Sequence, residues 1–134
     1  MDFPGKMTII DTNVVLRYLL RDHEGFYREA ESLFDEAFSG KRKILLLDTV
    51  VAEVVYVLSG FYKVERQEIA RVLRELLKAK GINATDKEAL FEALDIFERK
   101  SLDFVDCLIC AQGKRYQVMS FDKKVKKCVE EIQE

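Results

Sequence analysis

Five carboxylates stand out in this 134-residue chain by their type and setting: Asp11, Glu53, Asp103, Asp106 and Asp122. Asp11 follows the mostly apolar run Met7-Thr8-Ile9-Ile10 and precedes Thr12-Asn13. That pattern puts an acid at the C-terminal end of a buried strand, where open α/β sheets hold their ligands. Asp122 ends Val118-Met119-Ser120-Phe121 in the same way. Glu53 interrupts Val50 to Val57, and helical spacing makes Thr49, Val50, Tyr56 and Val57 its neighbours. An ionised carboxylate on so apolar a face is costly unless it is paired or bound to a metal. Asp103 and Asp106 lie three residues apart and share one face at the start of a helix.

Each acid also has an ordinary structural reading. Glu53 could meet a cation from a neighbouring helix, Asp103 and Asp106 suit a capping-box-like helix start, and a strand-end aspartate is often a turn former or cap. The coincidence is what points to chemistry, because two strand ends and two helices could bring these groups to one crevice. Crowded carboxylates raise each other's pKa unless a hard divalent cation lies between them. Mg²⁺ and Mn²⁺ prefer such oxygen ligands, and carboxylate sites can position ions for phosphodiester hydrolysis.

The elements that must position these acids follow from periodicity. Val14 to Leu20 reads as a helix, as does the series Phe26, Ala30, Leu33, Phe34, Ala37 and Phe38, which ends at Ser39-Gly40. Ile44 to Leu47 suits a strand buried on both faces, and Asp48-Thr49 offers N-cap chemistry for a helix to Ser59-Gly60. Ile69, Val72, Leu73, Leu76 and Leu77 mark the next helix, and Ile82 to Thr85 a short strand. Asp86 caps a helix carrying Leu90, Ala93, Leu94 and Phe97; another runs from beyond Ser101 to about Lys114. Gln117 to Phe121 reads as a last strand. Strands joined by long helical crossovers pair in parallel with right-handed connections. The expected fold class is α/β: one three-layer α/β/α domain over residues 1–134 with a mostly parallel sheet of four to five strands.

Four short motifs, Ile9-Ile10-Asp11-Thr12-Asn13-Val14, Glu53 in its apolar helix, Asp103-Phe104-Val105-Asp106-Cys107-Leu108 and Ser120-Phe121-Asp122-Lys123, resemble the ordered motifs of the PIN-domain family. The two-helix crossovers match as well, so the resemblance spans essentially the whole chain. Among PIN domains, the chain most resembles the toxin ribonucleases of VapBC toxin–antitoxin pairs. This resemblance implies a Mg²⁺- or Mn²⁺-dependent endoribonuclease acting on RNA, usually a homodimer and held inactive by a cognate antitoxin. By position, Asp11, Glu53, Asp106 and Asp122 are then the catalytic metal ligands, with Asp103 auxiliary. Thr12, Asn13 and Ser120 would orient those ligands or metal-bound waters. Family members often end in one more apolar strand, whereas 126–134 is polar and acid-rich, so that edge strand is short, missing or replaced by helix.

Bulk properties fit a folded soluble protein. Hydrophobic residues make up 49% and charged residues 34%, and 22 basic against 24 acidic residues give −2, so overall charge does not advertise nucleic-acid binding. Arg17, Lys123 and Lys124, with Lys126 and Lys127 beyond them, lie near the acids in sequence and could hold RNA phosphates, although a solvated helix surface explains the lysines equally well. Tyr18, Phe26 and Tyr62 could stack on bases, although packing is the commoner role. Three cysteines and one histidine make a disulfide framework unexpected, and a reducing, cytoplasmic setting is the simpler expectation. Cys107 and Cys110 read as small core hydrophobes, and His23 as a loop residue. Met1 to Lys6 reads as a frayed leader without signal-peptide character, and the apolar stretch from Ile44 to Tyr62 is broken by Asp48 and Glu53 before it could span a membrane. Two other classes remain: a receiver-like signalling domain, which would want adjacent acids after the first strand, and a catalytically inactive PIN-like RNA- or protein-binding module.

Overall fold

The computed structural model describes residues 7–133; the leader expected over Met1 to Lys6 lies outside them. The order is β1 (Thr8–Ile9), α1 (Thr12–Leu20), α2 (Glu24–Phe38), β2 (Ile44–Leu46), α3 (Asp48–Gly60), α4 (Arg66–Lys78), β3 (Ile82–Ala84), α5 (Lys87–Arg99), α6 (Phe104–Gln112) and α7 (Lys123–Gln133). The strands form a parallel sheet in the order β1-β2-β3, with Thr8 opposite Ile44 and Ile44 opposite Ile82. Two helices intervene between successive strands, long enough to return the chain to the same edge as parallel pairing requires. Ile44, Leu46 and Ile82 are fully covered, and they merge with Phe34, Leu73, Leu77, Leu90 and Leu94 into one core.

Local chemistry sets the connections. Asp86 accepts a hydrogen bond from the Ala89 N–H and starts α5. Gly81 takes φ +83°, and a Cβ there would overlap the Ala37 carbonyl, so only glycine lets the end of α2 lie against the entry to β3. The turn from α5 to α6 is held by Arg66. Its guanidinium donates to the carbonyls of Phe97 (2.8 Å), Lys100 (2.6 Å) and Leu102 (2.6 Å), and stacks 3.6 Å from the centroid of the Phe97 ring. One side chain of α4 thereby fixes the backbone that delivers Asp103 and Asp106.

Three expectations change, and the alternatives open for the C-terminal segment resolve to helix. Gln117 to Phe121 is not a strand: Met119 and Phe121 are 81% and 88% exposed, and the segment has no ladder partner, so the sheet has three strands among the described residues. Val118 on the other face packs against the core, but alternation is insufficient without a strand to pair with. The polar C-terminal segment is helical, because Val125, Cys128 and Val129 recur at helical spacing and turn into the core. At α3 the N-cap is Leu47 without a side-chain cap bond, and Asp48 lies inside the first turn. Finally, Cys110 of α6 and Cys128 of α7 form a disulfide, their Cα atoms 6.0 Å apart across the seam between the two helices. Only Cys107 remains a free, buried thiol, and burial pushes it up to about 12, which keeps it protonated and inert.

Candidate active site

Asp11 occupies the N-cap of α1. One of its carboxylate oxygens accepts from the Val14 N–H at 3.1 Å, which leaves the other directed to solvent. A cavity of about 330 Å³ opens beside it, lined by Asp11, Thr12, Asn13, Thr49, Val50 and Glu53. Glu53 is exposed here, so the desolvation cost expected from its apolar neighbours does not arise; α3 turns the Glu53 side toward this cavity and buries Val51, Val54, Val55 and Leu58. Since Asn caps a helix about as well as Asp, Asp11→Asn is expected to fold normally. Asp11→Ala should lose about 1 kcal/mol in a denaturant titration.

The remaining acids form a second group. Asp103 stands at the N-cap position of α6, yet its side chain makes no capping bond, and Asp106 lies half-buried in the first turn of the same helix. Capping therefore does not account for Asp103. Asp122 does act as a cap: one oxygen accepts from the N–H groups of Lys124 (2.8 Å) and Val125 (3.2 Å). Ser120 supports that turn by accepting from the Asp122 N–H at 3.1 Å, and so touches the backbone of Asp122 rather than its carboxylate. Burial, and then the charges of Asp103 and Asp122, push the Asp106 carboxyl above the usual aspartate range.

None of the five acids takes part in an ion pair among the described residues. The ordinary reading of Glu53, a neighbouring lysine or arginine, thus finds no support. No three His, Cys, Asp or Glu side chains among the described residues, within either group or across the two groups, are spaced to hold one ion. The two groups are linked through packed helices, α1 on α3, α3 on α6 and α6 on α7. The donor set suits a hard divalent cation all the same. It offers carboxylate oxygens only, uncompensated by any cation and with one oxygen of Asp11 uncommitted.

The structure adds an acid that sequence reading treated only as a cap. Asp48 follows β2 as Asp11 follows β1, and its Oδ1 is buried without a hydrogen-bond partner. Burial and the nearby Asp86 push its carboxyl up, whereas Asp86 itself is held low by the Ala89 N–H, Arg115 and Gln112. The strand-end position that singled out Asp11 was the available signal.

A larger cavity, about 650 Å³, lies on the other side of Asp11 between α1 and α2. Arg17 lines it but is paired with Asp22 at 2.8 Å. Of the aromatics, Tyr18 stacks on Phe34 in the core with centroids 4.2 Å apart, and Tyr62 donates to Asp22 at 3.3 Å. Phe26 alone of the three stays 55% exposed at this cavity, stacked on His23, whose ring nitrogen caps α2 by accepting from the Phe26 N–H. Lys123 and Lys124 are exposed at the start of α7.

Comparison with known proteins follows the same lines. A family model described as PIN domain matches residues 8–130. A "VapC ribonuclease" of Aquifex aeolicus (strain VF5) is 30% identical over 124 residues, covering 90% of this chain and 91% of that protein. No solved structure matches.

Proposed function

The chain belongs to the PIN-domain family, and from that footing we propose that it is a divalent-metal-dependent endoribonuclease, the toxin of a toxin–antitoxin pair. The observation that carries this reading is the set of five unpaired acids at the starts of α1, α6 and α7 and on α3, with Asp106 made harder to ionise by burial and then by the charges of Asp103 and Asp122. Asp11, Glu53, Asp106 and Asp122 are the proposed ligands for Mg²⁺ or Mn²⁺, with Asp103 auxiliary. When bound, the ion supplies charge neutralisation and an acidified water for attack on phosphorus.

The chain's own residues do the placing. The cap bond from Val14 to Asp11 and those from Lys124 and Val125 to Asp122 fix one oxygen of each carboxylate and so orient the other. Thr12 and Asn13 line the cavity with Asp11 and Glu53, within reach of ligand waters. Arg66 sets the turn that presents Asp103 and Asp106. Arg17, Lys123 and Lys124 are the proposed phosphate contacts.

A homodimer and an antitoxin complete the proposal. Tyr56 on α3 and Val105 and Ile109 on α6 are 78%, 55% and 40% exposed on helices that pack together, an apolar surface suited to a second copy. Leu73 on α4 is core and does not contribute to this surface. No helix among the described residues is long and apolar enough to cross a membrane. A cytoplasmic site, where RNA is at hand, belongs to the same reading.

The test is cleavage of a mixed RNA pool by antitoxin-free protein with Mn²⁺ or Mg²⁺, with EDTA, and as Asp11→Asn, which keeps the helix cap. Cutting that disappears in both controls is the expected result. Well-folded protein that cuts no RNA class would instead favour a PIN-like binding module.

A further inference from the structure

Away from the acids, Arg99, Lys100, Lys124 and Lys127 line a single cavity of about 330 Å³. Ser101 adds a hydroxyl, and Leu102 and Cys128 give the cavity its apolar lining. One wall is the end of α5 with the turn that follows; the other is the first two turns of α7. Lys124 and Lys127 lie three residues apart on one face of α7, opposite two cations from a different element. This convergence separates the groove from a solvated lysine run on one helix. Lys100 is paired with Glu131, whereas Arg99, Lys124 and Lys127 enter no ion pair among the described residues, and no acid lines the cavity. Glu131, whose carboxyl is held low by Lys100 and then by the charges of Lys127 and Arg99, offsets part of this charge. The cations that remain repel, and an anion in the groove would relieve them.

Both walls of the groove continue along the chain to the acids. Leu102 immediately precedes Asp103, and Lys124 lies two residues beyond Asp122. We propose that this groove holds the phosphates of the RNA strand next to the scissile bond, an inference that rests on the ribonuclease reading above. No aromatic side chain lines it, so the contact is to backbone and is indifferent to base sequence. Cations gathered near the proposed metal ligands serve a polyanion that must approach carboxylates: they offset the repulsion at the point of entry. Arg99 is the new member of the RNA-binding surface, and Lys124 and Lys127 gain a defined place in it.

The experiment measures binding of a fluorescent oligouridylate in EDTA, where no cutting occurs, across a range of KCl concentrations. Each phosphate contact on single-stranded RNA contributes about 0.7 to the slope of log K against log salt, so the Arg99→Gln/Lys127→Gln protein should lose about 1.4 from that slope. Lys41→Gln/Lys43→Gln, an equal charge change at exposed sites beside β2, should lose none. In metal, the groove variant should show a raised KM for RNA with kcat kept. A wild-type slope matched by the groove variant would overturn the proposal. So would variants that keep the RNA slope but lose binding of polyglutamate, which would give the groove to an acidic protein segment. A wild type that neither binds oligouridylate nor cuts RNA with metal overturns the ribonuclease reading itself, a result distinguishable from failure of the groove alone.

Discussion

Asp106→Asn is expected to reduce metal-dependent RNA cleavage by at least about 100-fold while raising the melting temperature of the metal-free protein. The first half follows from ligand chemistry. Residues that merely orient ligands already cost about 10–100-fold in metal affinity or activity when removed, so loss of a ligating charge should cost no less. The second half follows from the raised carboxyl of Asp106, which burial and the charges of Asp103 and Asp122 produce. A folded-state pKa above the unfolded value means that the native protein binds the proton more tightly. Stability is then greatest below the ordinary aspartate range, falls as pH rises through the raised native value, and stays lower above it. Asparagine carries no charge and escapes that penalty. Melting curves with EDTA across pH should therefore show the variant above wild type at neutral pH, with the gap closing in acid. Mg²⁺ should raise the wild-type melting temperature and leave the variant unmoved, since only an intact ligand set gains from the ion. A variant that cuts RNA normally, or that melts below wild type at neutral pH without metal, would remove Asp106 from the proposed centre.

The second large effect concerns the Cys110–Cys128 disulfide. Its sequence separation of 18 closes a loop for which chain entropy gives about 3 kcal/mol. Reduction, or Cys110→Ala/Cys128→Ala, should accordingly lower the melting temperature by roughly 10 °C for a domain of this size. The bond also joins the two helices that carry Asp106 and Asp122, so its loss should weaken the hold on Asp122 and raise the metal concentration needed for half-maximal cleavage. Cys107→Ser serves as the control: it should leave the sensitivity to reductant in place, because the Cys107 thiol is buried and unreactive. A melting curve indifferent to reductant, with all thiols titrating free, would show that the bond does not form in solution.

Much of the fold was legible because its signals are local. Spacing of apolar residues located every helix up to Gln112, and Asp86 marked the start of α5 by a bond to an N–H three residues on. The parallel sheet followed from crossover length alone. What sequence misplaced were cases where a local pattern meets a non-local condition. Gln117 to Phe121 alternates like a strand but has no ladder partner, and Asp103 sits where a cap belongs but makes no cap bond. Glu53 has apolar neighbours in sequence, yet the packing of α3 puts those that matter on the opposite side.

The sequence by itself singled out five acids as candidates, most of the order of helices and parallel strands that carries them, and a family resemblance spread across the chain. Such features depend on residues a few positions apart, whose geometry is set by the backbone's own periods. Only the tertiary structure decided that the acids have no cationic partners, that Cys110 meets Cys128, and that Arg99 faces Lys127 across a groove. Those facts are distances between groups far apart in the chain. They are fixed by how whole helices pack, which no local spacing encodes.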